Sequence, residues 1–411
     1  MQNESHKKVT GFSGNEIFCL NKLGYTAGQL CVGNEVVAIG ALGVTSSTLA
    51  NLAGGEITKV TDLVHEGRKA AFERMMEEVR AAGGVGLAGV SFDMINHGGN
   101  LEFISLGSVV HNETMQSTNA FFSTSSSGQN LYSQIDAGFT PNSFVFGNVA
   151  YSIGVGGGLK GWGRSLKRGE VKEFTEIYNS TRHLALSRIK EEAKSAKANA
   201  VIGIETNIIP LYGTQEMMMV GTAATHPSLN AYYNDPVTSS LTNEELWNLV
   251  NLGYLPIKMV IGVSVYSLGF GGALKSAFGS FIGGKIDTVT ELLYEAREKA
   301  LARIQEDANQ CGADEVVGAK TYIFDMGGGL VEFMVIGTAV KKFSGVTTKN
   351  QQILPQAIIQ DRDTVISSEY GSSTTINKSS ERSARKTQFG VLQIIGTIIF
   401  VIAYAYFVVF K

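Results

Sequence analysis

The chain has little of what marks a secreted, nucleic-acid-binding or catalytic protein. Its three cysteines, Cys19, Cys31 and Cys311, are odd in number and form no CxxC spacing, which excludes a disulfide framework and gives no thiolate metal motif. The first residues, MQNESHKKVTGF, lack the apolar core of a signal peptide, so the soluble part is expected in a reducing cytoplasm. Proline is scarce at 6 residues, which excludes a Pro-rich low-complexity chain. A formal net charge of −3 and the absence of a Lys/Arg cluster interleaved with aromatics exclude the electrostatic footprint of a nucleic-acid partner.

What is present is apolar material, 44% of the 411 residues, and glycine, 48 residues. Both serve a repeat. GNEIFCLNKLGYTAGQLCVGNEVVAIGALG from Gly14 aligns with GQNLYSQIDAGFTPNSFVFGNVAYSIGVGG from Gly128 and with NEELWNLVNLGYLPIKMVIGVSVYSLGFGG from Asn243. At offsets of 114 and 229 residues, Gly24, Gly138 and Gly253 coincide, as do Gly33, Gly147 and Gly262, and Gly89, Gly203 and Gly318. With one added residue in the third copy's DMGGGL loop, Glu102, Glu216 and Glu332 align, followed by Gly107, Gly221 and Gly337. Three tandem domains follow, at 13–112, 127–227 and 242–342.

Each copy reads alike. GNEVVAIG, GNVAYSIG and GVSVYSLG are β-branched or aromatic runs bounded by glycine, which predicts a strand. A glycine-rich turn and then a long helix follow. The helix's apolar face steps by three and four through Val60, Val64, Gly67, Ala71, Met75 and Val79. Phe174, Tyr178, Thr181, Ala185, Ile189 and Ala193 form that face in the second copy, and Val289, Leu293, Ala296, Ala300, Ile304 and Ala308 in the third. Two strands close each copy, so the expected fold class is α+β, with three repeated β-α-β-β two-layer domains. One helix covers only one face of such a sheet, yet MMMVGTAA and FMVIGTAV are apolar at consecutive positions, on both faces. A neighbouring repeat or another chain must cover the second face, which predicts a homo-oligomer.

The sequence resembles the YbjQ-like domains, a family labelled heavy-metal-binding. The third copy carries the resemblance most clearly, in MVIGVSVYSLG, AREKAL, GADEVVGAK and FMVIGTAV. The second departs most, with Asn199 in the turn of AKANAVIGI and LKRG in place of GG before the helix. The resemblance implies a dodecin-like fold and assembly into five-membered rings.

Beyond the repeats, 343–388 is polar and rich in Ser and Thr, which reads as a flexible linker. Residues 389–410, FGVLQIIGTIIFVIAYAYFVVF, carry no charge and are long enough to cross a hydrocarbon core of ~30 Å, so a C-terminal transmembrane helix is expected. Arg382, Arg385 and Lys386 precede it, which predicts a single-pass tail anchor in the inner or plasma membrane with the N-terminal bulk cytoplasmic.

The search for chemistry finds little. The repeat places Ser133 and Asn248 opposite Cys19, Val145 and Val260 opposite Cys31, and Asn179 and Tyr294 opposite His65, so no metal-ligand set recurs, and no metal or other cofactor is expected. GVGGGLKGWG and GFGGALKS lack the Gly-Lys-Ser/Thr ending of a phosphate loop, and no triad or acid/base pair is discernible, so the chain is not expected to be an enzyme. Charged positions do recur. Arg68, Arg182 and Arg297 coincide on the helices as candidate interface residues, and Glu102, Glu216 and Glu332 on the last strands as candidates to line a ring opening. Arg74, Arg188 and Arg303 stand three and four residues before acidic pairs such as Glu77 with Glu78, the spacing of solvated ion pairs. The functional expectation is a self-assembling, membrane-tethered scaffold of stacked or interlinked rings, or a closed cage, whose partners are itself and the bilayer. The alternative is a metal- or small-ligand-binding module with pockets between ring subunits.

Overall fold

A computed structural model describes residues 9–38, 40, 55–97, 99–112, 121–152, 169–211, 214–267, 287–327, 330–352 and 365–368. The expected transmembrane run at 389–410 and the glycine-rich segments 153–168 and 268–286 lie outside these residues. No helix among the described residues is long and apolar enough to cross a membrane.

The first module comprises α1 (Gly14–Lys22), β1 (Thr26–Ala38), β2 (Gly55–Glu56), α2 (Thr58–Ala81), β3 (Gly86–Asn96) and β4 (Asn100–His111). The second comprises β5 (Phe122–Ser123), α3 (Gly128–Asp136), β6 (Thr140–Ser152), β7 (Gly169–Glu170), α4 (Lys172–Ser195), β8 (Ala200–Leu211) and β9 (Thr214–Thr225). The third comprises β10 (Val237–Thr238), α5 (Asn243–Asn251), β11 (Tyr254–Ser267), α6 (Asp287–Gln310), β12 (Glu315–Gly327) and β13 (Leu330–Lys342), and β14 (Val365–Ser368) follows. The expected β-α-β-β order is therefore incomplete, because a nine-residue helix precedes the first long strand of every module. Ser13, Ser127 and Thr242 cap these helices, accepting bonds from the N–H groups of Glu16, Asn130 and Glu245.

In each sheet the last strand runs antiparallel between the first and the third: β1-β4-β3, β6-β9-β8 and β11-β13-β12. The pairing breaks register between Ala88 and Ser91, Ile202 and Glu205, and Val317 and Lys320. Gly89, Gly203 and Gly318 sit at these bulges with φ of +68°, +62° and +63°, a backbone region that a side chain would strain.

The modules exchange edges. β2 of the first pairs with β6 of the second, and β7 of the second with β11 of the third. Packing follows the same order. Cys31, Met75, Val79 and Leu87 of the first module share a core with Phe144, Phe146, Met218 and Val220 of the second. Tyr178, Leu186 and Ile189 of α4 lie in a core that joins Val149 and Met217 of their own sheet to Met259, Ile261 and Met334 of the third. The described body thus alternates sheet, helix, sheet, helix, sheet, helix, rather than forming three separate two-layer domains.

This arrangement explains a second buried stripe on the first two long helices. Thr61 and Arg68 on α2, and Thr175, Arg182 and Leu186 on α4, are buried in addition to the expected apolar face. Among the described side chains of α6, burial is confined to Ala296, Ala300, Ile304 and Ala308, the face toward its own sheet. Residues 343–352, expected to begin a flexible linker, are instead docked: Phe343 and Val346 pack on the core around Trp247, and Asn350 bonds the Asp136 carboxylate.

Candidate functional site

The features that recur and are enclosed lie at the two junctions between modules. The start of each long helix is fixed to the next module's first strand by backbone bonds, Ile57 N–H to the Ala150 carbonyl and Val171 N–H to the Val265 carbonyl, both 2.8 Å. One turn on, the Thr61 hydroxyl accepts the Ala150 N–H at 2.9 Å and the Thr175 hydroxyl accepts the Val265 N–H at 3.0 Å. These bonds pair the Ile57, Val171, Ala150 and Val265 N–H groups where two modules meet.

Behind them lies an ion pair. Arg68 of the first module donates both terminal nitrogens to Glu216 of the second, one at 2.7 Å, with side-chain exposures of 1% and 0%. Arg182 of the second module repeats the pair with Glu332 of the third, through Nη2 at 2.9 Å to each oxygen and Nε at 3.2 Å. Burial pushes the Glu332 carboxyl above its ordinary value and the guanidinium opposes it. Arginine keeps its charge in a protein, so the forked geometry holds an ion pair. Aromatic rings complete each enclosure: Arg182 lies 4.4 Å from the Tyr151 ring centre and Arg68 5.8 Å from that of Phe103.

Four of the six charged positions read from the repeat are thus brought together in two pairs, and Glu216 and Glu332 are enclosed rather than facing an opening. Arg297 and Glu102 are not brought together. Arg297 contacts its neighbour Glu298 at 3.2 Å, and Glu102 contacts His97 at 2.7 Å and Asn34 at 3.5 Å.

The second arginine set departs from expectation. Instead of pairing with acids one turn on, Arg74, Arg188 and Arg303 donate to the strand carbonyls of Asn34, Asn148 and Val263. Arg188 and Arg303 also reach Glu56 and Glu170 of the preceding module, while Arg74 takes Glu35 of its own strand. The acids have other work. Glu78 accepts the Val32 N–H at 3.0 Å and Glu192 the Phe146 N–H at 2.7 Å.

The described residues include no group of three or more His, Cys, Asp or Glu placed to hold a metal. Burial pushes the Cys19 and Cys31 thiols above their ordinary values, away from the thiolate that a soft metal requires. These residues do not fit a heavy-metal site.

A family model described as "Putative heavy-metal-binding", the YbjQ family, matches residues 24–125, 140–226 and 255–342. The chain belongs to this family, three times over. An encapsulin nanocompartment protein of Mycobacterium tuberculosis is 29% identical over 231 residues, covering 53% of this chain and 86% of that protein. UPF0145 proteins of Thermoplasma acidophilum and Vibrio parahaemolyticus are 35% and 40% identical over 99 and 83 residues, 22% and 20% of this chain and 83% and 79% of theirs. Those two relatives are therefore about one module long.

Proposed function

We propose that this chain is a non-enzymatic scaffold that self-assembles into rings, stacked or interlinked, or into a closed cage, and is tethered to the cytoplasmic face of a membrane through 389–410. The observation that carries the reading is the alternation of layers: each sheet after the first is covered on its second face by the helix of the module before it. That contact joins modules by burying large side chains, about 1.5–3 kcal/mol for each one fully enclosed. It needs no catalytic group to explain the recurring charges. The name of the M. tuberculosis relative, a nanocompartment protein, supports a shell-like assembly. Five members per ring is the count that the family resemblance implies, and the uncharged run at 389–410 supplies one anchor for every chain. Several anchors under one assembly would make attachment effectively permanent.

Light scattering on the detergent-extracted full chain tests the assembly. A particle of several chain masses is expected, and a single chain at micromolar concentration would reject the reading. Fractionation of cells expressing the chain with and without 389–410 tests the tether. The shortened form is expected in the soluble fraction, and its retention in the membrane pellet would reject the anchor.

A further inference from the structure

The two ends of the layered body are complementary halves of the junction that occurs twice inside it. We propose that the outer sheet face of the first module receives α6 of a second copy of this chain, with Arg297 of one copy bonded to Glu102 of the next. The inference rests on the self-assembly reading and gives it an address.

The sheet end comes first. Val32 and Val36 of β1 are 42% and 53% exposed, and Leu30 beside them is 39% exposed. Their repeat counterparts are buried under the preceding helix: Phe144, Phe146 and Ala150 at 5%, 5% and 0%, and Met259, Ile261 and Val265 at 0%, 2% and 0%. The alternation of exposed and buried positions along β1, absent from β6 and β11, is the mark of a sheet with no second cover among the described residues.

The polar half of the junction is already in place there. Asn148 donates to Glu216 at 3.0 Å and to the Thr61 carbonyl at 3.2 Å. Asn34, its counterpart, already holds Glu102. What Glu102 lacks is the arginine that Glu216 and Glu332 each receive from the module before.

The helix end supplies it. Arg297 is the counterpart of Arg68 and Arg182, yet its side chain is 47% exposed where theirs are 1% and 0%. Its guanidinium lies 4.9 Å from the ring of Tyr294, itself 58% exposed, at the position where His65 stacks on Phe146 in the first junction. One difference is written into the sequence. Lys285 stands where Glu56 and Glu170 do, so the acid they supply to the next module's arginine is absent, and Arg74 is served by Glu35 of its own strand.

Copies joined this way meet head to tail, a contact that closes into a ring or continues as a filament. A ring of whole chains then contains a number of modules divisible by three.

The test is light scattering across a dilution series on the full chain in detergent, for the wild type, E102R, R297E and the double reversal E102R/R297E. Each single reversal sets like charges together and is expected to raise the concentration for half-assembly by tenfold or more, and the double reversal to restore it. Single variants that keep wild-type assembly overturn this joint while leaving self-assembly standing. A wild type that stays a single chain overturns both. A double variant no better than the singles overturns the Arg297–Glu102 pairing. Both residues are solvent-accessible in the single chain, so melting of the variants is expected to match the wild type. Should either single variant melt differently, V36E on the same exposed face replaces it, with loss of assembly expected and unchanged assembly overturning the joint.

Discussion

Arg182 and Glu332 stand 150 residues apart and meet at 2.9 Å with almost no solvent on either side chain, joining the second module's helix to the third module's sheet. Removing one partner strands the other as a buried charge, so R182A and E332A are each expected to cost about 3–5 kcal/mol. Replacing both with apolar side chains of similar volume, as in R182M/E332L, removes the desolvation cost with the attraction and is expected to recover most of that loss. Denaturant unfolding of the two singles and the double decides it. Additive losses in the double would show that the two residues do not act as a pair.

Thr61 and Thr175 give a second handle on the same seams. Each hydroxyl accepts a backbone N–H from the strand of the next module. Valine keeps the shape and removes the acceptor, leaving the Ala150 or Val265 N–H enclosed without a partner. T61V and T175V are each expected to cost about 1–3 kcal/mol. Hydrogen exchange should accelerate at Ala150 in the first and at Val265 in the second, and unchanged protection at those amides would reject the role.

The repeat, the long helices and the need for a second cover over each sheet were legible because they depend on periodicity along one module. Val60, Val64, Gly67, Ala71, Met75 and Val79 are the apolar buried stripe of α2, as their spacing requires. The joining of Arg68 to Glu216 was not legible, because it depends on the register between modules, which no spacing within one module encodes. Arg68 shares with exposed Arg297 a glutamate two residues before it and an arginine six residues after, and nothing in that spacing tells the buried one from the exposed one. The opening helices were missed although a signal existed: Ser13 and Glu16, and Thr242 and Glu245, form capping boxes that announce a helix start. The arginine-to-acid spacing misled, since Glu78 and Glu192 bind strand amides that lie far away in sequence.

The recurring glycine of the first strand has a definite steric task. A methyl on Gly147 would stand 2.5 Å from the Ala185 carbonyl oxygen and 2.7 Å from the Ile189 nitrogen, both backbone atoms of α4. Gly33 and Gly262 face α2 and α6 backbone in the same way. Helix and strand can approach this closely only without a side chain, and the helix backbone cannot rotate away as a side chain would. G147A is expected to lower stability by about 1–3 kcal/mol through overpacking, which thermal melting would register. A neutral result would show that α4 can shift outward without loss, against the two-sided packing described for it.

Glu192 links stability to pH at the first junction. Burial pushes its carboxyl up to about 7, against the opposing pull of the Phe146 N–H and of Lys69, and His65 stands 4.0 Å away. A raised carboxyl keeps its proton in the folded chain between roughly pH 4.5 and 7, where the unfolded chain has lost it. Its contribution is therefore fully present below pH 4.5 and is lost as pH rises through about 7. Glutamine at this position stays neutral throughout and still accepts the Phe146 N–H. E192Q is expected to match the wild type near pH 4.5 and to exceed it at pH 8, by about 1 kcal/mol once the side chain's 32% exposure is discounted. Denaturant unfolding at the two pH values measures the difference. An advantage that is equal at both would assign the effect to packing rather than to the proton.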